Sequence, residues 1–167
     1  MTKVILMCGI PGSGKSTLAK GLLLDGDVYV SRDEIRFVMV KEDEPYFLKE
    51  DQVFECFVNT VKANIISKKE RIYVDATHLN AKSRAKVMRE LRHFEDVGFE
   101  AIFVDTPLEV AIERNEKRAG TRAHVPQDVI RNMNRTLTCP EYNEGFEKIW
   151  IKEVDIPIYL KERENDE

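Results

Sequence analysis

The sequence has little cysteine and no long hydrophobic run, and both shortages exclude classes of protein. Its three cysteines, Cys8, Cys56 and Cys139, are odd in number and widely spaced, so they match neither a zinc-ligand pattern nor a disulfide framework. No apolar run approaches the length that spans a membrane. The first residues also lack the regions of a secretory signal peptide. These absences predict a protein of a reducing aqueous compartment, the cytoplasm, with no membrane partner.

Net charge is also small: the 167 residues carry a formal charge of −4, although 34% of them are charged. A summed field this weak gives no direct argument for a nucleic-acid partner. Charge is nevertheless segregated, because residues 60–93 carry nine Lys or Arg against three Asp or Glu, and residues 141–167 carry four against nine. This segregation permits an anionic ligand on one side, and ordinary solvated helix faces are the alternative explanation.

Short apolar runs bounded by Gly, Asp or Pro alternate along the chain with helical patterns. The predicted strands cover residues 4–8, 28–31, 71–75 and 101–105. The predicted helices cover residues 15–24, 54–68, 81–97, 109–118 and 127–137. This alternation indicates an α/β fold with a doubly wound parallel sheet and helices on both faces. We expect one domain over residues 1–160, with final strand candidates at 149–152 and 156–160, and a frayed, charged tail at 161–167.

A phosphate-binding motif follows the first predicted strand and precedes the first predicted helix. It matches G-x-x-x-x-G-K-[ST] at every fixed position. Its residues are Gly9, Ile10, Pro11, Gly12, Ser13, Gly14, Lys15 and Ser16, and Thr17 follows. Glycines let backbone N–H groups converge on phosphate oxygens at a helix start. Lys15 would bridge the β- and γ-phosphates of ATP or another nucleoside triphosphate, and Ser16 would bind Mg²⁺.

A candidate general base lies at the end of the second predicted strand, in the segment S-R-D-E-I-R. Asp33 is placed beyond the same edge of the sheet as the phosphate loop, where a carboxylate can accept a hydroxyl proton. Arg36 lies three residues further along a helical face and could clamp an anionic group of the acceptor. The alternative makes Asp33 a helix N-cap and Arg36 a surface residue.

The third predicted strand ends in V-D-A-T-H-L-N, with an acid at the sheet edge. Asp75 would lie near the metal water or the substrate. Thr77 and Asn80 follow in the turn, where they contact substrate or, in the case of Asn80, cap the next helix. We assign no chemistry to His78, because a lone histidine after a strand is more often packed or solvated than catalytic.

A helix–loop–helix lid is predicted at about residues 114–135. Arg114 and Arg118 are four residues apart and so share one helical face, while Gly120 in the following loop supplies a hinge. Folded over a bound triphosphate, these arginines would stabilise transition-state charge. A solvated basic helix paired with Glu113 and Glu116 is the alternative.

Taken together, the chain resembles the polynucleotide 5′-hydroxyl kinases, the P-loop kinase domain of phage and bacterial end-repair enzymes, which is related to zeta-toxin-like P-loop kinases. Four blocks carry the resemblance over residues 1–135: G-I-P-G-S-G-K-S-T, S-R-D-E-I-R, V-D-A-T-H-L-N and R-N-E-K-R-x₆-V-P-Q-D-V-I-R-N-M. It implies that Asp33 is the base for a DNA or RNA 5′-hydroxyl and that Arg36 binds the nearest phosphate. It also implies that Arg118 contacts the donor and Asp75 supports the acceptor pocket.

Three readings of function remain. We expect a kinase without the phosphatase that accompanies many family members, because the sequence has no D-x-D-G-[TS] motif, and we expect short-range binding of a strand end. Residues that could line the approach are Lys82, Arg84, Lys86 and Arg89. One alternative is a kinase of a small metabolite or nucleoside hydroxyl, and another is a non-catalytic nucleotide-binding module. The motifs suit DNA and RNA equally and leave the oligomeric state open.

Overall fold

A computed structural model describes residues 1–153 and 160–165. The strands within that part are β1 (Thr2–Cys8), β2 (Val28–Ser31), β3 (Arg71–Asp75), β4 (Val97–Asp105), β5 (Lys148–Glu153) and β6 (Leu160–Glu162). The helices are α1 (Lys15–Leu22), α2 (Arg32–Met39), α3 (Glu50–Ile66), α4 (Ala81–Leu91), α5 (Leu108–Glu116) and α6 (Gln127–Thr136), and a 3-10 turn covers Tyr142–Glu144. The alternation of strands and helices confirms the predicted α/β class.

The strands form one sheet in the order β2-β3-β1-β4-β5-β6. All pairs from β2 to β5 are parallel, and β6 runs antiparallel to β5. Asp75 at the end of β3 lies level with Ser31 of β2 and with Met7 of β1. The sheet therefore brings the loops that follow three strands to one edge, where parallel α/β sheets bind their ligands.

Both faces of the central strand β1 are buried, which explains its nearly continuous apolar sequence. Val4 and Leu6 pack into a cluster that includes residues of α3 and α4. Ile5 and Met7 face a second cluster that includes Ala19 of α1. The layers on the two sides therefore hold β1 rigidly, and the loop that follows it begins from a fixed point.

A third apolar cluster joins the phosphate loop to the predicted lid. Ile10 of the loop is 1% exposed and packs with Ala111 and Ile112 of α5 and with Ile130 of α6. Burying side chains of this size stabilises a contact by about 1.5–3 kcal/mol each. The bases of both lid helices are therefore packed against the loop, and the exposed part of the lid is the connection at residues 117–126.

The predicted boundaries are wrong around α4, which ends at Leu91 and not at residue 97. The N–H of Phe94 donates to the carbonyl of Leu91 at 3.2 Å and closes a turn. The N–H of Thr2 donates to the carbonyl of Asp96 at 2.8 Å. These bonds turn the chain back into the sheet, so β4 begins at Val97. Val97, the final residue of the predicted helix, belongs to that strand.

The charged tail predicted from residue 161 begins inside the sheet. Lys161 and Glu162 pair with Ile151 and Trp150 in the β5–β6 ladder, and the N–H of Arg163 donates to the carbonyl of Ile149 at 2.7 Å. The candidate strand at 149–152 is confirmed as part of β5. Except for Leu160, the candidate strand at 156–160 lies outside the described residues. Among the helices of the described ranges, none is long and apolar enough to cross a membrane.

Candidate active site

The phosphate loop curls between β1 and α1 as its glycines predict. Gly12 and Gly14 adopt left-handed backbone conformations, with φ of 81° and 96°. A Cβ atom at Gly12 would lie 2.2 Å from the carbonyl oxygen of Ala111 in α5. Because no side chain fits that distance, the loop needs glycine both for its turn and for its contact with the lid.

Two polar groups inside this loop have fewer hydrogen-bond partners than they can accommodate, which fits a bound anion. The ammonium of Lys15 is 8% exposed and donates to the carbonyl of Ile10 at 3.1 Å. Burial lowers the pKa of Lys15, while the carboxylates of Asp75 and Asp33 act to raise it and Arg118 to lower it. Within the described residues, the buried hydroxyl of Ser13 has no hydrogen-bond partner. Phosphate oxygens would satisfy both groups, so the residues present fit a nucleoside triphosphate.

Ser16, the predicted magnesium ligand, lies against Asp75. Its hydroxyl donates to Oδ2 of Asp75 at 2.7 Å, and the hydroxyl of Tyr29 donates to the same oxygen. Burial raises the pKa of Tyr29, and Asp75 reinforces that shift, so this phenol stays protonated as a donor. A serine hydroxyl backed by a carboxylate suits the oxygen chemistry of Mg²⁺. These contacts place Asp75 on the donor side, whereas its predicted role in the acceptor pocket stays a prediction.

Asp33 lies in the first turn of α2 and is not its cap. Ser31 is the N-cap, and its hydroxyl accepts the N–H of Glu34 at 3.2 Å. The side chain of Asp33 is 61% exposed, so an acceptor hydroxyl can reach it. Its Oδ1 atom accepts hydrogen bonds from Arg36 and, at 2.7 Å, from the hydroxyl of Tyr46. The carboxylate is therefore accessible and fixed in orientation.

Arg36 is buried, and its guanidinium already donates hydrogen bonds to other side chains of this protein. Its Nη1 donates to Asp33 and, at 2.8 Å, to the hydroxyl of Tyr46, and its Nη2 donates to Oε1 of Glu50 at 2.5 Å. The side chain is 6% exposed. The alternative that made Arg36 a surface residue is therefore wrong. Its predicted contact with an acceptor phosphate requires these partners to rearrange, and that role stays a prediction.

The turn after β3 contributes mainly to architecture. The carbonyl of Thr77 accepts the N–H of Gly9 at 2.9 Å, which ties this turn to the phosphate loop. Asn80 caps α4 through a reciprocal pair of bonds with Ser83, so its predicted capping role is confirmed and substrate contact stays a prediction. His78 is buried in a left-handed conformation, with Nδ1 at 2.6 Å from the carbonyl of Met7.

Arg84 was predicted from the sequence as a residue that could line the approach of a nucleic-acid strand end, and the structure buries it. Its side chain is 0% exposed. Its Nε and Nη2 both donate to the carboxylate of Glu144, at 2.7 and 2.8 Å. Its Nη1 donates to the carbonyls of His78 and Thr138. Arg84 is thus a structural tie between α4 and the 3-10 turn. Lys82, Lys86 and Arg89 of the same helix are exposed.

The lid arginines lie beside the phosphate loop, and their predicted contact with a bound triphosphate stays a prediction. Arg114 donates to the carbonyl of Ser13 at 3.2 Å, and Arg118 is exposed. Both line a cavity of about 740 Å³ together with Gly12, Gly14 and Thr17. A cavity of that size suits a nucleotide. Its lining does not include Asp33 or Arg36, so the cavity and the candidate acceptor residues are separate regions.

Two lid residues have structural roles that motif reading missed. Asn115 is 0% exposed, and its side-chain amide exchanges hydrogen bonds with the backbone of Val125, at 2.6 and 2.9 Å. Arg122 reaches the end of α2, where it donates to the carbonyl of Phe37 at 2.9 Å and to that of Val40. Asn115 therefore ties the end of the connection at 117–126 back to α5, and Arg122 ties its middle to α2.

A parallel α/β sheet with a glycine-rich phosphate loop, a buried lysine and an arginine-bearing lid defines a P-loop nucleotide-binding protein. Comparison with known families gives the narrower assignment. The profile described as "AAA domain" matches residues 4–140, so the chain belongs to that family.

Known proteins similar to this chain include a relative and two solved structures. A protein of Acanthamoeba polyphaga mimivirus, named as a bifunctional polynucleotide phosphatase/kinase, is 26% identical over 152 residues, which is 88% of this chain and 32% of that protein. A chain of the Pnkp1/Rnl/Hen1 RNA repair complex is 25% identical with a TM-score of 0.67, over 81% of this chain and 44% of that one. A gluconokinase from Sinorhizobium meliloti 1021 is 19% identical with a TM-score of 0.60, over 93% and 84%. The chain thus spans less than half the length of the first two.

Proposed function

We propose that this protein transfers the γ-phosphoryl group of ATP, or of another nucleoside triphosphate, to the 5′-hydroxyl end of DNA or RNA in a Mg²⁺-dependent reaction. The observation that carries the proposal is the convergence on Lys15. Asp33 acts to raise and Arg118 to lower the pKa of this buried ammonium, which supports the proposal that phosphate loop, candidate base and lid arginine belong to one site. The names of the mimivirus relative and of the RNA repair complex support a polynucleotide acceptor.

The residues of the site divide the work of such a transfer. Asp33 orients the attacking hydroxyl and accepts its proton as the new bond from the 5′-oxygen to the γ-phosphorus forms. The bond from that phosphorus to the β-bridging oxygen breaks, and the nucleoside diphosphate leaves. Lys15 and Arg118 stabilise charge on the phosphoryl oxygens. Mg²⁺ held at Ser16, with Asp75 behind it, would supply further charge neutralisation.

A kinase of a small metabolite is the second candidate, and the hydrogen bonds of Arg36 favour it. Both Nη atoms of Arg36 are taken by Asp33, Tyr46 and Glu50, and its buried Nε has no partner among the described residues. No open pair of Nη groups therefore faces the phosphate that follows a terminal nucleotide. A neutral small acceptor would leave that network undisturbed. The likeness to the gluconokinase shows the shared fold alone. A cytoplasmic location stays a prediction.

The deciding experiment offers three acceptors to the purified protein with Mg²⁺ and γ-labelled ATP. They are a 5′-hydroxyl oligonucleotide, the same oligonucleotide with a 5′-phosphate, and a nucleoside 3′-monophosphate, with DNA and RNA versions of the first two. Label on the 5′-hydroxyl strand and none on the 5′-phosphorylated strand is the expected result. Turnover of ATP with no labelled oligonucleotide would overturn the proposal in favour of a small-metabolite kinase.

A further inference from the structure

An aromatic pair, half-buried Tyr46 and exposed Phe47, lies beside the candidate base, in the connection between α2 and α3 at residues 40–49. Phe47 is 59% exposed. Its ring centroid lies 4.7 Å from that of Tyr46, with the two planes at 86°. The guanidinium of Arg36 lies 4.4 Å from the centroid of Tyr46 and 5.8 Å from that of Phe47. We call Tyr46 and Phe47 the aromatic shelf.

Core packing does not account for the shelf. Neither ring belongs to the three apolar clusters formed by the described residues. A single exposed aromatic side chain is common on protein surfaces and would carry no argument by itself. The second observation is the hydroxyl of Tyr46, which donates to Asp33 at 2.7 Å and accepts from Arg36 at 2.8 Å. One end of the shelf is therefore bonded directly to the carboxylate that receives the acceptor hydroxyl.

The order of these groups parallels the order of groups at a nucleotide end. In a nucleoside, a flat aromatic base is separated from the 5′-hydroxyl by a single sugar ring. On this protein, an exposed aromatic ring is separated from the proton acceptor by the single side chain of Tyr46. Base stacking on aromatic side chains tolerates every base, because each has a π-face. The neighbouring Arg36 adds positive charge beside the rings.

We propose that the aromatic shelf, and Phe47 above all, is the surface on which the terminal nucleobase of the acceptor strand stacks while its 5′-hydroxyl faces Asp33. The inference rests on the proposed polynucleotide kinase function and adds a base-binding subsite to it. It explains how a protein with a net charge of −4 holds a strand end, since stacking supplies affinity that does not depend on a basic field. It also predicts little discrimination among the four bases.

The test compares Phe47→Ala and Phe47→Trp with Leu48→Ala, a control at the adjacent residue, which is 54% exposed and carries no ring. Each protein phosphorylates two DNA strands, one with an intact 5′-terminal nucleotide and one with an abasic 5′-terminal residue. Phe47→Ala should raise KM for the intact strand roughly tenfold, in the range found for loss of one base stack. It should leave KM for ATP and KM for the abasic strand unchanged, and Phe47→Trp should retain wild-type KM.

A second measurement reports stacking without turnover. A strand with 2-aminopurine at its 5′ end should lose fluorescence on binding the wild-type protein and lose much less on binding Phe47→Ala. Equal effects of Phe47→Ala on intact and abasic strands, or none on either, would overturn the shelf while leaving the kinase function intact. Failure of the wild-type protein to label any 5′-hydroxyl strand would instead remove the proposed function and the shelf with it.

Discussion

At the residue scale, Asp33 carries the sharpest prediction about chemistry. Asp33→Asn should lower kcat by about 10²–10⁴-fold, the usual contribution of a general base. Binding of ATP should be unchanged, because Asp33 does not line the donor cavity. Turnover with a 5′-hydroxyl strand and calorimetric titration with ATP measure the two quantities separately.

The matched control for that change is Glu34→Gln, which neutralises the next carboxylate of α2. Glu34 is 60% exposed and pairs with Lys20 at 3.2 Å, so its loss should be nearly neutral. An Asp33→Asn protein that turned over as fast as the Glu34→Gln protein would show that Asp33 is not the base.

Tyr29 is a positioning residue that the sequence motifs did not indicate. Its hydroxyl bonds to the same Asp75 oxygen as Ser16, so Tyr29→Phe should loosen the carboxylate behind the proposed magnesium ligand. Loss of such an outer partner commonly weakens metal affinity by about 10–100-fold. The Mg²⁺ concentration for half-maximal activity should therefore rise at least several-fold while kcat at saturating Mg²⁺ changes little.

Tyr73→Phe is the control for the Tyr29 change, because Tyr73 is level with Tyr29 on the neighbouring strand. Tyr73 lines a different cavity, with Lys3 and Trp150, and its loss should not move the Mg²⁺ dependence. If Tyr29→Phe left that dependence unchanged as well, Tyr29 would have no part in holding Asp75.

At the element scale, the carboxyl ends of β1 to β4 and the cap of α4 were more predictable than the ends of helices. The phosphate loop is found where its motif places it, because a glycine pattern encodes backbone conformation locally. The end of α4 was missed because apolar residues at 94 and 97 continue a helical period, while the bond from Thr2 to Asp96 that ends it is non-local. The N-cap of α2 is Ser31. The sequence suggested Asp33, two residues later, as the alternative cap, because aspartate and serine suit that position equally well.

The lid is an element whose attachment can be tested through Arg122. This side chain bonds to carbonyls near the end of α2, which otherwise lack helical partners. Charged hydrogen bonds of this kind contribute about 1.5–3 kcal/mol, so Arg122→Ala should open the connection at 117–126 roughly tenfold more often. Trypsin should then cleave after Lys117 or Arg118 faster, and KM for ATP should rise.

Arg135→Ala serves as the control for Arg122, since it removes the same charge from an exposed position on α6. It should leave both the cleavage rate and KM for ATP at wild-type values. Cleavage of Arg122→Ala at the wild-type rate would mean that the contact with α2 does not hold the lid connection.

At the scale of the whole molecule, the least predictable features are buried polar groups whose partners lie far away in sequence. Arg84 looked like a surface residue because its helix is rich in lysine and arginine. Its partner Glu144 is 60 residues away, and no local pattern marks that pairing. Buried Arg84 and buried His78 are linked through the His78 carbonyl, so this polar group joins β1, the turn after β3, α4 and the 3-10 turn.

Buried His78 makes the free energy of global unfolding depend on pH. Burial lowers the pKa of His78 to about 4, the Met7 carbonyl and Asp75 act to raise it, and Arg32 and Lys15 act to lower it. The unfolded chain binds a proton near the ordinary histidine pKa of about 6.5. Between these two values the unfolded state holds more protons, so stability is intact above pH 6.5 and falls as the pH drops towards 4.

At about 1.4 kcal/mol per pH unit, the loss attributable to His78 over this window is about 3 kcal/mol. His78→Asn keeps a residue type that tolerates the left-handed backbone, and its unfolding free energy should show a shallower acid slope than wild type between pH 6.5 and 4, whatever its absolute stability. Denaturant melts across this range measure the slope. His93→Asn, the same change at an exposed position, is the matched comparison. Identical slopes for His78→Asn and wild type would show that His78 binds its proton as readily in the folded protein as in the unfolded chain.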